Sequence, residues 1–185
     1  LNRRGCVPQF DKFIEQTKDV WTHLVDIRKS FEPRAEELAK KYALAPYTMF
    51  IGSGALWGET ILFSMCILEE MQWKRTRYIT SADFFHGTLE LVEPGVPVFL
   101  FMGEDENRKL DERVRAFLAR GVTGDTDINI IDTAEFAIPG LDDEFRVIVS
   151  PWILTVLVTD RLARYYETVT KHNLKYRRYY HQFDY

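Results

Sequence analysis

Hydrophobic positions recur at intervals of three and four through residues 8–30, PQFDKFIEQTKDVWTHLVDIRKS, where Phe10, Phe13, Ile14, Val20, Trp21, Leu24 and Ile27 share one face of a helix. Pro8 suits the first turn of that helix. A second helix is predicted over 34–43, opened by Pro33 and ended before Pro46. After Pro46 the period shortens. YTMFI at 47–51, a run at 77–81, VPVFLFMG at 96–103 and DINIIDTA at 127–134 are β-branched or aromatic segments that read as strands. Helical patterns fall between and after them, at 56–73, 83–92, 104–120 and 143–170, the last kinked or split by Pro151. Strands alternating with helices imply βαβ units and a mostly parallel sheet of four or five strands. The final KHNLKYRRYYHQFDY reads as an extended segment.

Composition narrows the choices. The 185 residues, 46% hydrophobic, suffice for one α/β domain at 46–185 with connecting helices over 1–45. With 28 acidic against 24 basic side chains there is no basic stripe of the kind that nucleic acid requires. Cys6 and Cys66 stand sixty residues apart, Cys66 in the apolar run SMCIL, which suggests reduced thiols and a cytoplasmic setting. The most apolar stretch, 147–158, is interrupted by Ser150 and Pro151 and is too short to span a bilayer, so no membrane partner is expected. His23, His172 and His181 lack metal-ligand spacing, and no metal is predicted.

Three groups of residues carry candidate chemistry. Gly52, Ser53 and Gly54 follow a strand and open a helix, so their backbone N–H groups can hold an anion or a sugar hydroxyl, or form only a tight turn. The spacing G-x-G-x-x-x-G is not the dinucleotide fingerprint. Glu70, on the last turn of an apolar helix, faces the negative end of the helix dipole, a setting suited to a general acid or base. The alternative is that Glu69 and Glu70 are solvated acids or partners of Lys74 and Arg75. His86, sixteen residues on, follows Phe84 and Phe85 and precedes Gly87. An imidazole at a helix start can accept and donate protons, with Glu90 four residues later able to orient it, or it can be a core histidine. In the tail, Lys175, Arg177 and Arg178 among tyrosines suit phosphate or sugar recognition, or simple docking of the terminus.

The stretch from Tyr47 to Glu93, with Glu70 and His86 at this spacing, resembles the second sugar isomerase (SIS) domain of the phosphosugar isomerase and deglycase family. SADFFHGTLELVE and HNLKYRRYYHQFDY resemble most the bacterial fructosamine-6-phosphate deglycases. The resemblance implies a three-layer α/β/α SIS fold and a phosphorylated sugar–amine adduct as substrate. It makes Glu70 and His86 the proton-moving pair, and it implies a homodimer in which the histidine enters the neighbouring subunit's site. Proton transfer beside a carbonyl requires no metal or redox cofactor, and none is expected. An aldose–ketose isomerase resembling glucosamine-6-phosphate synthase and a sugar-phosphate-sensing module remain as alternatives. The family's first SIS domain carries a serine-rich phosphate loop, S-x-S-G-x-[ST], and this sequence lacks it; WGET at 57–60 has Trp57 where a serine would stand. The chain is therefore expected to be the second half of a longer protein, with little activity by itself.

Overall fold

Residues 9–121, 124 and 126–184 are described by the structure, a computed structural model. Cys6 and Pro8 lie outside the described residues. The predicted helices at 8–30 and 34–43 form, with a different break: α1 spans Phe10–Gln16 and α2 spans Val20–Tyr42, running through Pro33. The break falls at 17–19, where the Thr17 hydroxyl donates back to the Phe13 carbonyl at 2.7 Å. An interior proline costs about 3 kcal/mol or more. Burial of Phe31, Ala35, Leu38, Ala39 and Tyr42 around it supplies the offset, at roughly 1.5–3 kcal/mol per large apolar side chain.

Four parallel strands form the sheet, in the order β2-β1-β3-β4: β1 Thr48–Gly52, β2 Thr76–Ile79, β3 Val98–Met102 and β4 Ile128–Asp132. Every residue of β1 and β3 is buried, because helices cover both faces of a parallel sheet. Phe50, Phe99 and Phe101 turn to one face, against α2 and the helices described below. Met49, Ile51, Leu100 and Met102 turn to the other, against Phe84 and α4 (Arg108–Leu118) through Val114 and Leu118. The chain leaves β1 toward β2 and then returns to β3 on the other side, so the strand order reverses between β1 and β3. Open α/β sheets place a crevice outside the strand ends at such a reversal.

The predicted helix at 56–73 begins as α3, Trp57–Ile61, and continues as a π-helical winding over Leu62–Met71. That at 143–170 is continuous through Pro151: α5 Asp143–Leu154, a second π-helical winding Thr155–Leu162, and α6 Ala163–Thr170. Glu59, buried before the first winding, accepts hydrogen bonds from Thr155 and Thr159 of the second and so couples the two. The predicted helix at 83–92 is replaced by two 3₁₀ turns, Phe84–His86 and Thr88–Leu91, because Gly87 between them sits at φ 127°. Arg146 of α5 donates to Glu104 after β3 and to the carbonyls of Thr133 and Phe136 at 3.1 Å, pinning α5 to the ends of β3 and β4. Among the described residues, no helix is long and apolar enough to cross a membrane.

Candidate functional site

At the strand-order reversal, the turn Gly52–Gly54 is filled from within the chain. A methyl group on Gly52 would lie 2.2 Å from Thr60 Oγ1, and one on Gly54, at φ 55°, would lie 2.1 Å from Asp105 Oδ2. That carboxylate accepts from Ala55 N at 2.5 Å and from Asn107 N at 2.7 Å. Ser53 is buried, and its Oγ accepts from Ser81 N at 2.7 Å. Ser81 Oγ in turn donates to Asp111 Oδ1 at 2.5 Å, and Gly103 N donates to the other Asp111 oxygen at 3.3 Å. Glycine and serine are here because the loops after β1, β2 and β3 approach too closely for larger side chains. Asp105 and Asp111 both fall within the helical pattern at 104–120, and nothing in that pattern marks them as the groups that meet these loops.

Burial pushes the Asp111 carboxyl up to about 6, against the opposing bonds from Ser81 and Gly103. An acid whose folded value is raised binds its proton more tightly in the folded state, so its stability contribution is full at low pH and is lost as pH rises toward 6. Acidification from pH 7 to 5 should therefore stabilise the fold by about 1 kcal/mol through this group. Glu59, raised by burial, adds to the same trend. Thermal unfolding of wild type and Asp111→Asn across this range checks the point: the variant should show the smaller rise in Tm on acidification, and equal rises would exclude Asp111 as the source.

The start of β2 holds a cavity of about 540 Å³, between the end of the first π-helical winding and the C-terminal tail. The winding separates two adjacent acids. Glu69 accepts from Thr76 Oγ1 at 2.6 Å and is anchored to the start of β2. Glu70 faces the cavity and meets Arg177 of the tail, Nε to Oε1 2.8 Å. Arg177 also donates to the carbonyls of Leu174 at 2.9 Å and Tyr176 at 2.8 Å, which fixes the tail's own curve. Trp73, two residues past the winding, sits at φ 54°, a conformation that is rare for a bulky residue and that requires support from its neighbours. That support comes from the His172 ring at 4.3 Å and the Arg178 guanidinium over the indole at 4.3 Å. Gln72 adds bonds to the His172 carbonyl at 2.6 Å and the Thr170 hydroxyl at 2.8 Å. The tail thus docks without forming a helix or strand, and it brings Arg177 to Glu70 and Arg178 to the same cavity while Lys175 stays exposed outside the cavity lining.

His86 is elsewhere. Glu70 lies near the start of β2 on the face covered by α3, whereas His86 follows the end of β2, next to Phe84 and Phe85, which pack on Phe117 of α4 on the other face. The five steps from Thr76 to Ser81 alone advance roughly 16 Å at strand spacing. The imidazole is exposed, and among the described residues nothing hydrogen-bonds to it; Glu90 sits on the separate turn beyond Gly87. Among the described residues there is no group of three or more His, Cys, Asp or Glu arranged to hold a metal ion.

No family model matches the chain. It is 28% identical over 174 residues to a fructosamine deglycase of Bacillus subtilis, covering 92% of this chain and 51% of that protein. It is 29% identical over 170 residues to a fructoselysine 6-phosphate deglycase of Escherichia coli, covering 90% and 46%. Among solved structures, a Bacillus subtilis protein classed with the phosphosugar isomerases superposes with a TM-score of 0.88 at 27% identity, over 96% of this chain and 53% of the other. The C-terminal domain of glucosamine-fructose-6-phosphate aminotransferase from Francisella tularensis shares the fold, with a TM-score of 0.66 at 15% identity over 90% of this chain and 47% of the other. The chain spans about half the length of the curated relatives it matches.

Proposed function

We propose that this chain, a homologue of the fructosamine and fructoselysine 6-phosphate deglycases with the SIS-domain fold of the phosphosugar isomerases, supplies the acid–base carboxylate of a phosphosugar deglycase. The observation that carries the reading is Glu70, held open to a cavity by the tail's Arg177 while its neighbour Glu69 is tied to the sheet. In an open-chain fructosamine 6-phosphate, Glu70 takes a proton from C1, next to the C2 carbonyl. Return of that proton to C2, with the nitrogen's proton passing to the C2 oxygen, leaves an imine at C1. Water then adds at C1, the carbon–nitrogen bond breaks, and hexose 6-phosphate and the free amine depart. His86 opens the sugar ring and donates protons.

The placement of Glu70 and His86 at opposite ends of β2 and on opposite faces of the sheet supports a site composed of two copies of the chain, Glu70 from one and His86 from its partner. A longer protein is also part of the reading: a preceding SIS domain would supply the serine-rich phosphate loop that this sequence lacks.

An aldose–ketose isomerase would use the same pair without hydrolysis, and product analysis separates the two. The protein containing this chain, given fructoselysine 6-phosphate, should release lysine and hexose 6-phosphate in equal amounts. Interconversion of fructose 6-phosphate with an aldose phosphate, with no amine from any adduct, would replace the deglycase by the isomerase.

A further inference from the structure

We propose that Lys74, with Arg75 and Arg178 beside it, forms an oxyanion subsite next to Glu70 that takes a carboxylate or phosphate group of the ligand. Four cationic side chains and two carboxylates line the cavity. Arg177 is already committed to Glu70, and Glu69 to Thr76. That leaves Lys74, Arg75 and Arg178 with no carboxylate in ion-pair contact among the described residues. Lys74 is half-buried, and burial alone lowers its pKa, with no neighbouring carboxylate raising it. A partly buried, unpaired ammonium is costly unless an anion joins it.

The corner that carries these groups is built for a position. Trp73 is held in the left-handed region immediately before Lys74, braced by His172 on one side and by Arg178 on the other. Arg178 thereby stands over the same ring that directs the chain into Lys74. A guanidinium stacked on an indole keeps its N–H edges free to meet a planar or tetrahedral oxyanion.

The identity of the guest rests on the deglycase reading. A fructosamine 6-phosphate of an amino acid carries two anionic ends, its phosphate and the amine's carboxylate, and the subsite lies within reach of the carbons that Glu70 would serve. Binding of an oxyanion as such rests only on the geometry and is tested without turnover.

The experiment is acetylation of the protein with acetic anhydride, read at each lysine by mass spectrometry, alone and with inorganic phosphate or N-acetylglycine. Lys74 should be slowed about tenfold at an anion concentration near ten times its Kd. Exposed lysines such as Lys109 should change little, and Arg178→Gln should weaken the protection. Protection by phosphate alone assigns the subsite to the sugar's phosphate, and protection by N-acetylglycine assigns it to the amine's carboxylate. No protection at Lys74 by either anion, or equal slowing of all lysines, overturns the proposal. A failure to release amine from any adduct, with protection intact, would strike the deglycase reading and leave the subsite standing.

Discussion

Replacing Glu70 by Gln should lower kcat by about 10²–10⁴-fold with KM little changed, the loss expected when a positioned proton-transfer group is removed and binding is kept. The substitution is nearly isosteric, and glutamine Oε1 can still accept from Arg177 Nε, so the tail and the cavity should persist. What disappears is the capacity to take a proton from carbon. Glu69→Gln is the matched control. It alters the same helix end and the same charge, but its carboxylate is held by the Thr76 hydroxyl, and turnover should stay within a few-fold of wild type. Steady-state kinetics of the two variants, with unfolding curves to show that both fold, decide the assignment. A slow Glu69→Gln beside a normal Glu70→Gln would exchange the roles of the two acids.

Mixing Glu70→Gln with His86→Asn, each inactive by itself, should restore about a quarter of wild-type activity if each site draws its acid and its imidazole from different copies. Half of the randomly reassociated dimers would be mixed, and each mixed dimer would hold one site with both native groups and one with neither. The warrant is geometric: within one chain the two residues lie at opposite ends of β2 and on opposite faces of the sheet, and the strand between them is too long for side chains to bridge. A site formed within one chain predicts no recovery at any mixing ratio. The measurement is activity after denaturation and joint refolding, or after co-expression, against each variant treated alone.

Much of the fold was legible because its signals are local. The four β-branched and aromatic runs became β1 to β4, as the change of period after Pro46 predicts, and the alternation with helices required a parallel sheet. The spacing of Glu70 from His86 and the irregular tail were also visible in the sequence. The helix expected at 83–92 failed on one residue, since Gly87 adopts a positive φ that divides the segment into two turns and removes Glu90 from the face of His86. The break at 17–19, in place of one at Pro33, reflects packing of α2 along the α5–α6 helices, with Arg28 meeting Asp160 at 2.8 Å.

The candidate site depended on partners far apart in the chain. Asp105 fills the turn at Gly54 from fifty residues away, and Arg177 reaches Glu70 from the terminus. Nothing in the local sequence of either turn names its filler. Hydrophobic period is a property of a segment and survives when that segment is read by itself, so strands, helices and their alternation could be inferred from order alone. Which acid is tied to the sheet, which is paired to the tail and which end of a strand each occupies are decided only when parallel strands force every connecting helix to run back, carrying Glu70 to the start of β2 and leaving His86 beyond its end.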